Sequence, residues 1–261
     1  MRRQQEIAKG SPRRAELESE LSQSLGLQIR LTPASSKGGY DEIYYADQPG
    51  NRVAVVRVNS PYKTQNDPIG PADPGVPLAA IQRLSREWDA YQALSPLQLS
   101  PRPIWRTHDA IACSWIDWPR ASVTLAKFRS ECWQVFERLI PAIARMHHRG
   151  ITHLDLNLGN VLIERCGSGV AIIDFEFGPV DWVNLDQQMA FDYLRVVDDF
   201  TKPRRGGTYF LAAPTRLIDG LERWVPAAAR DAEVGFSLQK LRRLRDNPQL
   251  CSQLRAIFPR L

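Results

Sequence analysis

A chain of 261 residues with 43% hydrophobic and 24% charged content can bury a full core, in one large domain or two small lobes, which argues against disorder. The formal charge of +5 reads as a nucleic-acid signal only until it is located: Arg2, Arg3, Lys9, Arg13 and Arg14 against Glu6 place +4 of it within residues 1–14. The body is nearly neutral, so no nucleic-acid partner is expected. No apolar run approaches the roughly 20 residues of a membrane span, and Cys113, Cys132, Cys166 and Cys251 stand apart without zinc spacing, as reduced thiols of a cytoplasmic protein would.

Residues 1–24 read as a basic flexible tail, capable of weak contact with an anionic membrane surface. From Leu25 to Thr32 apolar and polar residues alternate, Pro33 to Gly39 supply turn residues, and Ile43 to Ala46 resume extended character. After the turn Gln48-Pro49-Gly50-Asn51, the β-branched run Arg52 to Val58 predicts a third strand. The proline-rich stretch Ser60 to Pro77 reads as a loop. A helix is expected over Leu78 to Leu94, then strands at Pro103 to Trp105 and Ala110 to Ile116, so residues 25–116 form a small antiparallel-sheet lobe. Trp115 to Pro119 then connect to a second lobe, residues 117–261.

There Phe136, Leu139, Ile140, Ile143 and Met146 recur at helical spacing before Gly150, a plausible end cap. Val161 to Ile163 and Val170 to Ile173 read as a hairpin, and the chain from about Leu185 reads as helical. The chemistry lies in HLDLNLGNVLI, residues 153–163, and IIDFEFG, residues 172–178. A hairpin brings its two ends together, so Asn160 and Asp174 converge beside the loop bearing Asp155. Phosphoryl transfer needs such a set: one carboxylate to orient the attacking hydroxyl, and hard oxygen ligands that suit magnesium on the phosphates.

His-x-Asp-x-x-x-x-Asn followed by Ile-Asp-Phe resembles the catalytic loop and metal-binding motif of the protein-kinase-like superfamily. The resemblance implies an α+β, bilobal fold, ATP and Mg²⁺ as cofactors, Asp155 and Asn160 as catalytic residues, and Asn160 and Asp174 as metal ligands. It gives His153 a structural role, bonding backbone near the metal motif. GGYDEIYYADQPGNRVAVVRVN resembles the glycine loop and first strands of aminoglycoside and choline kinases. By that resemblance Gly38 and Gly39 lie over the phosphates, Arg57 stands where a lysine is usual with Glu87 as its partner, and Trp115 and Ile116 belong to the hinge that reads adenine. Lys37 and Lys63 are reserve cations.

Departures from the pattern select the branch. Asn157 stands where protein kinases place a lysine and Leu154 where many place arginine, Glu176 replaces the glycine of the metal motif, and no Ala-Pro-Glu follows. The short span from Asp117 to His153 leaves no room for the helical insertion of aminoglycoside kinases, and the compact plan resembles the kinases of lipopolysaccharide sugars (3-deoxy-manno-octulosonic acid kinases). That resemblance implies ATP-dependent transfer to a hydroxyl of a non-protein acceptor, a lipopolysaccharide or related glycan. A RIO-like or Bud32-like protein kinase and a nucleotide-binding pseudokinase are the alternatives.

Overall fold

Strand-forming residues with one apolar face account for the first lobe. The computed structural model describes residues 2–34, of which 2–12 as backbone only, together with 41–59, 70 and 73–261. Strands β1 (Arg30–Pro33), β2 (Asp41–Gln48) and β3 (Asn51–Asn59) form an antiparallel meander, and β3 also pairs with a later strand of the same sheet. Tyr44 stands opposite Val56 and Ala46 opposite Ala54, all buried, so one face of the sheet is apolar.

That face is covered by a helix where a flexible basic tail was expected. Helix α1 (Arg2–Leu25) lays Leu17 and Leu21, one turn apart, into the apolar cluster of the sheet. Its Glu18 carboxylate accepts from the Leu31 amide at 2.8 Å, and Arg13 pairs with Asp109 at 2.6 Å. Burial of Leu17 and Leu21 contributes roughly 1.5–3 kcal/mol each to docking the helix. The boundary at residue 24 therefore falls inside an element of the first lobe.

The stretch read as loop from Ser60 to Pro77 ends in a strand, β4 (Gly75–Pro77). Next come α2 (Ala80–Leu94), β5 (Pro103–Arg106) and β6 (Ala110–Ser114), which complete a five-stranded antiparallel sheet in the order β1-β2-β3-β6-β5. Helix α3 (Ala121–Lys127) follows the connector, and α4 (Cys132–His147) buries the apolar face expected of it. Strands β7 (Val161–Ile163) and β8 (Val170–Ile172) make the hairpin. Strand β9 (Phe177–Pro179) pairs antiparallel with β4 and so ties the two lobes together. The approach is close: a Cβ added to Gly75 would lie 2.7 Å from that of Leu154.

Helix α5 (Leu185–Phe200) runs through the core of the second lobe, with Ala190, Phe191, Tyr193, Leu194, Val196, Val197 and Phe200 buried. Its start is fixed by a capping box between Asn184 and Gln187. Short helices α6 (Gly207–Leu211), α7 (Pro214–Trp224), α8 (Ala227–Arg230), α9 (Arg242–Arg245) and α10 (Pro248–Leu254) pack around it. The architecture is α+β and bilobal, a small antiparallel sheet beside a mainly helical lobe. Among the described residues, no helix is long and apolar enough to cross a membrane.

Candidate active site

Helix α5 builds the loop that carries Asp155. Gln188, Asp192, Arg195 and Asp199 recur at intervals of four, three and four residues, so they share one helical face, and that face meets the loop rung by rung. Gln188 accepts from the Thr152 hydroxyl at 2.8 Å, and Asp192 accepts from the amides of His153 and Leu154, each at 2.8 Å. Arg195 donates to the Asp155 carboxylate at 3.1 Å, and Asp199 accepts from the Leu158 amide at 2.8 Å. Leu154 sits at φ 67°, a left-handed conformation costly for a leucine, and Asp192 holds the turn there. Asp192 is fully buried and also meets His147 at 3.1 Å.

The loop is then closed from within. His153, wholly buried, accepts from the Asp155 amide on Nδ1 and donates from Nε2 to the Ile173 carbonyl at 2.9 Å, which joins the Asp155 loop to the Asp174 motif. Asn157 donates to the Asp155 carboxylate at 3.2 Å and backbone carbonyl at 3.1 Å, and accepts from the Gly159 amide at 2.8 Å. Asn160 donates to the Asp155 carbonyl at 3.1 Å, while the Ile173 amide donates to the Asn160 carbonyl at 3.0 Å. Asp155, Asn160 and Asp174 are thus brought together at one end of the β7–β8 hairpin. Arg195 and Asn157 leave the Asp155 carboxylate fixed from one side and about one-third exposed on the other.

The opposite wall is built from charge. Arg57 on β3 reaches Glu87 on α2, Asp174 at 2.5 Å, Asp41 at 3.0 Å and Glu176 at 3.1 Å. Arg83 joins the same group through Asp41 at 2.9 Å. Burial pushes the Glu87 carboxyl up to about 7 against the pull of Arg57, and burial with the Asp174 charge pushes Glu176 up to about 8. Burial would raise Asp174 too, but Arg57 holds it below the usual carboxylate range. Tyr91 completes the wall, donating to Glu87 and accepting from the Asp174 amide at 3.3 Å. Asp174 itself takes φ 76°.

Other expected site residues divide. Gly38, Gly39, Lys37 and Lys63 lie outside the described residues. Trp115 lies at the lobe connector, but its amide donates to the Val53 carbonyl at 2.9 Å and its ring packs edge-on against Tyr45. That amide is engaged by the sheet. No described residue takes up the Ile116 amide. Sequence reading missed Asp41, Asp192, Arg195 and Asp199, and it recognised Asn157 and Glu176 without placing them among the site residues.

Among the described residues, no group of three or more His, Cys, Asp and Glu side chains forms a ready metal centre. The donors on offer, the Asn160 amide oxygen and the Asp174 carboxylate, are hard oxygens, and a magnesium site of two protein ligands completed by phosphate oxygens and water fits them.

A search of curated proteins finds no match. Among solved structures, the Mycobacterium tuberculosis PknI kinase domain is similar at 17% identity, TM-score 0.44, over 64% of this chain and 73% of that one. A point-mutant form of the same domain gives 16% identity and TM-score 0.42 over the same shares. The phosphotransferase enzyme family model, APH, matches residues 70–244, well over half of the chain and the stretch that holds α2, the Asp155 loop, the Asp174 motif and α5. The chain belongs to the APH phosphotransferase enzyme family.

Proposed function

We propose that this phosphotransferase moves the γ-phosphate of ATP to a hydroxyl of a non-protein acceptor, a glycan of the lipopolysaccharide kind. The observation that carries the reading is the Asp155 carboxylate, gripped by Arg195 and Asn157 yet open on one side. A carboxylate held so can take up the proton of an incoming hydroxyl as its oxygen bonds to the γ-phosphorus and the bond to the bridging oxygen breaks, releasing ADP. Asn160 and Asp174 would hold Mg²⁺. When bound, the ion supplies charge neutralisation on the phosphates. Arg57 would contribute positive charge beside them, and Glu87 orients it as a helix glutamate does for the usual lysine.

The shortness of the segment after the metal motif supports a non-protein acceptor. Only residues 180–184 separate β9 from α5, and β9 is paired with β4 rather than extended as a platform for a peptide. Asn157 is engaged wholly within its own loop, where a protein kinase would present a lysine to the transferred phosphate. Contact with a membrane through the basic N-terminus has less support, since Arg13 is committed to Asp109, Glu16 and Glu20.

The test is incubation of the purified chain with labelled ATP and Mg²⁺ and three acceptor pools: glycan extract, protein and small alcohols. Label is expected in the glycan pool. Label in a serine-rich protein alone would replace the reading with that of an atypical protein kinase, and nucleotide binding without transfer would make the chain a pseudokinase.

A further inference from the structure

The four carboxylates around Arg57 divide by exposure and by what else holds them. Each terminal nitrogen of the guanidinium meets one carboxylate of each kind. Nη1 donates to Glu87 and Asp174, and Nη2 to Asp41 and Glu176. The side chains of Asp41 and Glu87 are 0% and 3% exposed, whereas Glu176 is 13% and Asp174 35% exposed toward the cleft. The second oxygen of each sealed carboxylate is fixed independently: that of Glu87 accepts from the Tyr91 hydroxyl, and that of Asp41 accepts from Arg83 at 2.9 Å. Arg83 in turn donates to the Leu78 carbonyl at 2.9 Å, next to β4.

The Asp41 contact follows from the sheet register. Arg57 stands opposite Ile43, and Asp41, two residues before Ile43 on β2, shares its face. Carboxylate and guanidinium are therefore diagonal neighbours across the β2–β3 pair. On α2, Arg83 and Glu87 are one turn apart and face the same way. Guanidiniums and carboxylates thus alternate from Arg83 to Asp41 to Arg57 to Glu87, across α2, β2 and β3. A lysine would need no such row. An ammonium is a point charge that one glutamate can place, whereas the plane of a guanidinium fork is set only when both of its terminal nitrogens are held. With Asp174 given over to a metal, as proposed above, Glu87 alone would let the fork turn about a single contact.

We propose that Asp41 is a positioning residue for the nucleotide: with Glu87 it clamps the Arg57 fork and keeps its charge on the nucleotide phosphates. This second carboxylate is what lets an arginine serve where a lysine is usual. The inference rests on the reading of Arg57 as a cation for those phosphates.

The probes are adenosine and Mg²⁺-ADP, each titrated calorimetrically into the full chain. Arg57 bears on the phosphates and not on the base, so Asp41→Asn should weaken ADP at least ~10-fold while adenosine binds as to the wild type. Equal weakening of both probes is the mark of a merely structural role and overturns the proposal. Because Asp41 is buried, a second variant makes the test independent of its removal. Arg57→Lys, with Asp41 intact, should also weaken ADP at least ~10-fold and spare adenosine, since an ammonium lacks the fork that spans Asp41 and Glu87. ADP bound by Arg57→Lys as tightly as by the wild type overturns the proposal, for Glu87 would then suffice. In the double variant the loss should fall well short of the two single losses combined, because both substitutions break one contact; fully additive losses overturn the coupling. All these failures leave the phosphotransferase reading standing. A wild-type chain that binds ADP no better than adenosine removes Arg57 from the phosphates and overturns that reading together with the proposal.

Discussion

The two walls of the cleft are held by different physics. On the helical side, one face of α5 meets the Asp155 loop through hydrogen bonds, nearly all of them matched donor to acceptor, and the left-handed turn at Leu154 is fixed by two amides on Asp192. On the sheet side, the carboxylates of Asp41, Glu87, Asp174 and Glu176 crowd one buried guanidinium. The first arrangement is complete in itself and holds the Asp155 carboxylate, the proposed base, in place before any substrate arrives. The second binds Asp174 to Arg57, so a metal ion claiming that carboxylate must share it with the arginine or displace it. Rigid scaffold on one side and exchangeable charge on the other suit the proposed reaction, in which nucleotide and metal would enter and leave while the proposed base stays.

The largest effect should come from breaking the α5 ladder at its buried rung. Asp192→Ala leaves two amides and His147 without their acceptor, at a cost of about 3 kcal/mol or more. Thermal unfolding should fall by roughly 10 °C, with transfer lost alongside. A variant that melts like the wild type would show that the turn is held by something else. A smaller effect is expected one turn on, where Arg195→Ala removes a partly exposed grip on Asp155. Such a pair contributes under about 1 kcal/mol to stability, so unfolding should barely move, while kcat falls ~10-fold with the KM for ATP unchanged. Equal loss in both constants would reduce Arg195 to a general structural part.

The sheet side predicts a pH effect, the smallest of the set. Glu87 and Glu176 have folded values of about 7 and about 8, above those of the unfolded chain, so the folded form binds more protons between them. Their contribution is full below pH ~4 and is lost as pH rises through 7 and 8. Asp174, shifted the other way, titrates below that window. The metal-free protein should therefore melt at lower temperature at pH 8.5 than at pH 6, and Glu176→Gln should flatten the slope. A slope of opposite sign would mean that Arg57 dominates burial at these groups.

What could be read from the residues followed distance along the chain. The Asp155 loop, Asn160 and Asp174 lie within twenty residues of one another, joined by a hairpin whose apolar runs are plain, so their convergence was legible. The rungs of α5 were not, because Asp192 and Asp199 bond residues about forty positions earlier, and buried acids in a helix look in sequence like its solvated face. The β4–β9 pairing was hidden by strands of three residues rich in proline and glycine, whose ladder is visible only once the lobes meet. In α1 the charge count drew attention from Leu17, Leu21 and Leu25, which carry the helical period. Residues 115–120 run between β6 and α3, and which amide the sheet consumes there depends on the register of β3 against β6.

The division of labour between the two walls can be measured directly by comparing Asp155→Ala with Asp174→Asn, each assayed for Mg²⁺-dependent nucleotide binding and for transfer of labelled phosphate. Both variants should lose transfer, Asp155→Ala by ~10²-fold or more, but only Asp174→Asn should lose the Mg²⁺-dependent part of nucleotide binding. Wild-type transfer by Asp155→Ala, or loss of nucleotide binding in that variant equal to that of Asp174→Asn, would contradict the assignment of the base to one wall and the metal to the other.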